Sequence, residues 1–156
     1  MNIITEIRPI PKPISHKNLV DVAKRIFSSD ENILFENYKI KVGLDIEKEC
    51  IFDLGNDSKI IICKTSSWKN NSCVPKNIFK AWNESMYYFH LIPNNYKKIF
   101  FVKMDFSQKY CETLLQYYIR KNYNFIPKEV KCCDYFYDSG HIEEYSFDII
   151  KKVVGG

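Results

Sequence analysis

Phe52-Asp53-Leu54-Gly55-Asn56-Asp57-Ser58-Lys59-Ile60-Ile61-Ile62-Cys63-Lys64 decides how this chain folds. Glu47 to Leu54 alternates polar and apolar residues, as a strand with one covered face does. Gly55-Asn56-Asp57-Ser58 has the small and amide side chains of a turn. Ile60, Ile61 and Ile62 then run apolar without a break, the pattern of a strand covered on both faces. Two strands joined by so short a turn form a hairpin, which predicts Asp53 and Lys64 on neighbouring strands with both side chains opening on one concave face.

Upstream, Tyr38 to Val42 also alternates and extends the hairpin to a three-strand meander. Pro9, Pro11 and Pro13 make an extended lead-in, after which Ser15 caps a helix running to about Ser28, with Leu19, Val22, Ala23 and Ile26 at helical spacing. Downstream, Thr65 to Val74 reads as a polar loop, and Pro75 suits the first turn of a second helix. That helix sets Ile78, Trp82, Met86 and Phe89 on one face and ends at Pro93-Asn94-Asn95. Lys98 to Phe106 reads as a strand. A helix follows from about Ser107 to Asn122, with Cys111, Leu114, Leu115 and Tyr118 towards the core. Glu129 to Tyr137 is another strand, and the tail beyond it has no clear pattern. The order is α-β-β-β-α-β-α-β, a central mixed sheet flanked by helices in one α/β domain, with its core at about 15–137.

Composition bounds the partners. The chain has 156 residues, 46% hydrophobic and 27% charged, enough apolar material for a packed core and too much for disorder. No apolar run approaches the ~20 residues of a membrane span, and the N-terminus lacks the apolar segment of a secretory signal. A cytoplasmic protein is therefore expected. Lys and Arg total 23 against 19 Asp and Glu, a net charge of +4. That balance permits a nucleic-acid partner without requiring one. The six cysteines form no CxxC pair and the three histidines are far apart in sequence, so buried free thiols are expected and not a zinc site.

The element order, with Asp53 ending one strand, Lys64 ending the next and Trp68 in the following loop, resembles the PD-(D/E)XK nuclease superfamily, the restriction-endonuclease-like fold. The resemblance spans about Tyr38 to Pro127. It implies a metal-dependent nuclease hydrolysing DNA phosphodiester bonds. Carboxylates at adjoining strand ends would hold Mg²⁺ or Mn²⁺, and the metal would polarise the phosphate and activate a water. By the same resemblance Asp53 is the bridging metal ligand, the backbone carbonyl of Cys63 a further ligand, and Lys64 the catalytic lysine.

One position departs from that pattern. The residue two before Lys64 should be acidic, and it is Ile62, which cannot ligate a metal. Glu84, on the helix after the lysine strand, and Glu49, two alternations before Asp53, are the candidates to replace it; each otherwise reads as a solvated charge. Ser66, Trp68 and Lys69 in the polar loop, with Lys76 and Lys80 on the second helix, are candidate DNA contacts. Two functions follow: a nuclease with a degenerate site, or a catalytically inactive relative that binds DNA or serves as a subunit of a larger complex. A homodimer or a partner subunit is compatible with either, and no membrane partner is expected.

Overall fold

The computed structural model describes residues 14–45, 47–70 and 73–145. Helix α1 spans His16–Phe27, and the meander follows as β1 (Phe35–Val42), β2 (Lys48–Gly55) and β3 (Lys59–Lys64). Helix α2 (Lys76–Leu91) leads to β4 (Lys97–Lys103). A short ribbon, β5 (Phe106–Ser107) with β6 (Glu112–Thr113), precedes α3 (Leu114–Asn122), and β7 (Val130–Phe136) and β8 (His141–Tyr145) complete the order. Six strands form one mixed sheet in the order β1-β2-β3-β4-β7-β8. The chain is thus α/β, as its sequence leads one to expect. No helix among the described residues is long and apolar enough to cross a membrane.

The meander is antiparallel, β3, β4 and β7 run parallel, and β8 turns back on β7. The turn between β2 and β3 is built by Asn56. Its Oδ1 accepts the N–H groups of Ser58 and Lys59, each at 2.8 Å, and its Nδ2 donates to Asn32 and to the Ile33 carbonyl. Gly55 is required there because the Tyr38 ring covers it: a Cβ would lie 2.5 Å from Tyr38 Cδ1. Gly55→Ala is therefore expected to cost about 1–3 kcal/mol through overpacking, measured by denaturant unfolding.

The three isoleucines of β3 are covered on both sides. Ile60 and Ile62 enter a core with Phe100, Val102, Trp82, Met86 and Tyr118 under α2 and α3. Ile61 and Cys63 enter a second core with Phe101, Leu19 and Ala23 under α1. Ser15 caps α1 by accepting the Asn18 N–H. On α2, Phe79 is buried and Ile78 only half so, a shift of one position from the expected stripe.

Three expectations need correction. The strand expected to reach Phe106 ends at Lys103, and Ser107 to Thr113 is ribbon, not helix. Helix α3 begins at Leu114 because Thr113 and Gln116 form a reciprocal capping box, with Thr113 Oγ1 accepting the Gln116 N–H and Gln116 Oε1 accepting the Thr113 N–H. Cys111, expected on the core face of that helix, is exposed with φ 53°, a left-handed conformation no helix accommodates. Cys50, Cys63, Cys132 and Cys133 are buried free thiols; Cys73 is exposed. In the uncertain tail, His141 to Tyr145 forms β8, and the remainder, with Gly155 and Gly156, lies outside the described residues.

Candidate functional site

The edge at which β3 and β4 end collects the N-termini of all three helices. Helix α2 follows β3 there and α3 follows β4, with the Leu114 N–H donating to the Asp105 carbonyl at 2.8 Å. Helix α1 runs against β3. At its start His16 meets Asp53, and at its end the Phe27 carbonyl accepts Lys59 Nζ, at the opposite end of β3. Helix N-termini carry partial positive charge, so this edge favours anions. It is also the edge where open α/β sheets bind ligands, beyond the carboxyl ends of the parallel strands.

Asp53 sits where the β2–β3 ladder stops. The two strands pair at Gly55 with Ile60 and Leu54 with Ile61. Alternation along β2 breaks at Asp53: Phe52 enters the core under α2 and α3, while Leu54, two residues on, enters the core under α1. Across on β1, Asn37 adopts φ 52°. The Asp53 carboxylate takes over from the ladder, Oδ2 accepting the Cys63 N–H at 2.7 Å. Nε2 of His16 lies 3.1 Å from Oδ1. A carboxylate only accepts, so that nitrogen carries the proton.

Lys64 ends β3 beside Val102, half-buried, one residue beyond the amide that Asp53 holds. The hairpin thus makes the Asp53 and Lys64 strands neighbours, as expected, but the expectation that both side chains open on one face needs correction. No ion pair joins the two side chains among the described residues: Asp53 is engaged by His16, and Lys64 alternates with Ile60 and Ile62 towards the other side of the sheet.

Trp68, a candidate DNA contact, is half-buried and fastened to the protein. Its backbone N–H donates to Asp105 Oδ2 at 2.8 Å, its Nε1–H donates to the Asp105 carbonyl at 3.0 Å, and its ring stacks on Tyr110. It fastens the loop after β3 to the segment after β4. Ser66 is half-buried in that loop, and Lys69, Lys76 and Lys80 are exposed. Sequence reasoning missed His16, Lys103 and Asp105. Lys103 is buried at the end of β4 and donates to Ser67 Oγ at 2.7 Å. The available signal was a lysine closing an apolar strand, repeating what Lys64 does on β3. His16 carries no local signal, because only the packing of α1 brings it to Asp53.

The donors do not fit magnesium. Ile62 is 5% exposed and packed in the core under α2 and α3. Glu84 is exposed on α2 and accepts the Tyr88 hydroxyl at 2.8 Å. Glu49 is exposed beside Lys39 at 3.8 Å and stands four strand residues, roughly 13 Å, from Asp53. Among the described residues no three His, Cys, Asp or Glu side chains, these two included, are grouped to hold a metal. Burial pushes the Cys63 thiol well up, with the Asp53 charge adding to the effect, so it offers no thiolate. One carboxylate, with both oxygens already engaged, and one backbone carbonyl fall short of the near-octahedral oxygen set Mg²⁺ demands.

No protein-family model, curated protein or solved structure matches the chain.

Proposed function

We propose that this chain is a restriction-endonuclease-like domain that has lost its metal centre and binds DNA without cutting it. The fold assignment is supported by the helix–meander–helix–strand order and by the consecutive strand order β1-β2-β3-β4. The observation that carries the functional reading is the burial of Ile62 where a second carboxylate would be needed, with Asp53 tied instead to His16 and the Cys63 amide. Binding is supported by charge placement. Lys39, Lys41, Lys131 and Arg120 are each paired with a glutamate. Lys64, Lys69, Lys76 and Lys80 have no acidic partner among the described residues, and they lie at or near the edge that gathers the helix N-termini.

The competing reading is a metal-dependent nuclease that still uses Asp53 and Lys64; the seat of Asp53 beside Cys63 favours it. Titrating a labelled duplex at two ionic strengths tests the binding both readings require. With about four phosphate contacts, one for each of these four lysines near the edge, affinity should fall about 100-fold for a fourfold rise in salt. No binding at low salt would remove both.

A further inference from the structure

Lys76, Lys80, Asn83, Tyr87 and His90 recur at four, three, four and three residues along α2. At 100° per residue they fall within about 80° of one another, so they form one stripe down the helix. The stripe begins with the two lysines beside the basic edge and ends in a depression of about 310 Å³ lined by Asn83, Tyr87, His90 and Phe125. Met86 and Ile126, both nearly fully buried, also line it, and Pro127 closes one side. Two aromatic rings stand exposed at its walls, Tyr87 at 49% and Phe125 at 64%. Asn83 Oδ1 accepts the Tyr118 hydroxyl at 2.7 Å, which fixes the amide and leaves Nδ2 without a protein partner among the described residues. The Lys48 ammonium lies 5.3 Å from the Tyr87 ring centroid and adds a further cation beside it.

We propose that this stripe binds a single nucleic-acid strand, with phosphates at Lys76 and Lys80 and one unpaired base in the depression against Tyr87 and Phe125. The inference rests on the nucleic-acid reading above and goes beyond it, since the basic edge alone does not distinguish one strand from two. Apolar floor, aromatic walls and a few fixed polar groups are the make-up of a site for a planar ligand, and the volume lies at the small end of such sites. Lys80 and Tyr87 are about 10 Å apart along the helix axis. A duplex keeps its bases stacked inside and offers none to that depression. A cationic track with aromatic side chains that take bases is the general design of single-strand binding surfaces.

The test is fluorescence anisotropy with a labelled oligodeoxyadenylate of about twelve nucleotides, a typical single-strand site size, and with its duplex. Wild-type protein should bind the single strand more tightly. Tyr87→Ala and Phe125→Ala should each weaken single-strand binding at least about fivefold, the lower bound for losing one stacked base. Tyr87→Phe, which keeps the ring, should leave it nearly unchanged, and duplex affinity should be insensitive to all three. Both aromatic positions are exposed, and circular dichroism checks that the variants fold. Equal loss for duplex and single strand, or no loss in the alanine variants, would overturn this inference and leave DNA binding standing. Absence of binding to either probe would overturn both.

Discussion

Ile62→Glu is expected to destabilise the metal-free protein by about 3–5 kcal/mol, because it places an unpaired charge in the core under α2 and α3. The new carboxylate would face α2 and α3, on the opposite side of the sheet from the His16-bound Asp53. Mn²⁺ or Mg²⁺, which would stabilise by binding only the folded state, should therefore restore none of the lost stability, and wild-type protein should likewise show no response. Thermal unfolding with and without each cation reads both effects. Ile62→Leu, which conserves volume, should cost less than about 1.5 kcal/mol and gain no metal response. If Mn²⁺ stabilised the wild type as much as the glutamate variant, the metal would be held elsewhere. If it stabilised the glutamate variant alone, position 62 and Asp53 would open on one face, contradicting the placement of Ile62 under α2 and α3.

A second large effect is expected at Asp134, on β7. Its side chain is wholly buried; Oδ2 accepts the hydroxyls of Thr113 at 2.6 Å and Tyr145 at 2.9 Å, and Oδ1 has no partner among the described residues. Burial raises its pKa from 3.8 to about 6, the two hydroxyl bonds oppose the rise, and the charge of Glu143 adds to it. The folded state therefore holds this proton more tightly than the unfolded chain does. The resulting stability is fully present below 3.8 and is lost as pH rises through about 6. The gap is worth about 3 kcal/mol. Asp134→Asn should flatten the dependence between pH 4 and 7 and raise stability at neutral pH, since the amide oxygen can still accept both hydroxyls. Urea unfolding at pH 4, 5.5 and 7 measures this. A wild type that gained stability over that interval would contradict the placement of Asp134 in a dry, cation-free environment.

What could be read from sequence divides by range. The β2–β3 hairpin was legible because turn chemistry and alternation act within a few residues, and the unbroken isoleucines foretold cover on both faces. Helix α3 was legible in its body but not at its start. Cys111 falls at helical spacing with Leu114, Leu115 and Tyr118, which puts the start at about Ser107; sequence reasoning missed the Thr113-x-x-Gln116 box that sets the true start. The positive φ at Cys111 has no signature in residue type, because cysteine rarely adopts it. At the site, Asp53 and Lys64 were visible through the element order, and Ile62 declared its own departure. His16 was not visible, since it lies 37 positions before Asp53 and meets it only because α1 runs antiparallel to β3. Trp68 was seen, but its partners were not: Asp105 and Tyr110, 37 and 42 residues on, are brought against it only by the fold.

The central claim, DNA binding without cleavage, is tested most directly by one gel. Supercoiled plasmid is incubated at low salt with Mg²⁺ or Mn²⁺ and excess protein, and each sample is run with and without removal of the protein. Retarded plasmid that returns to the supercoiled band after deproteinisation is the predicted result. Conversion to nicked or linear plasmid by wild-type protein, abolished by Asp53→Asn, would show that the site still cuts and would contradict the account.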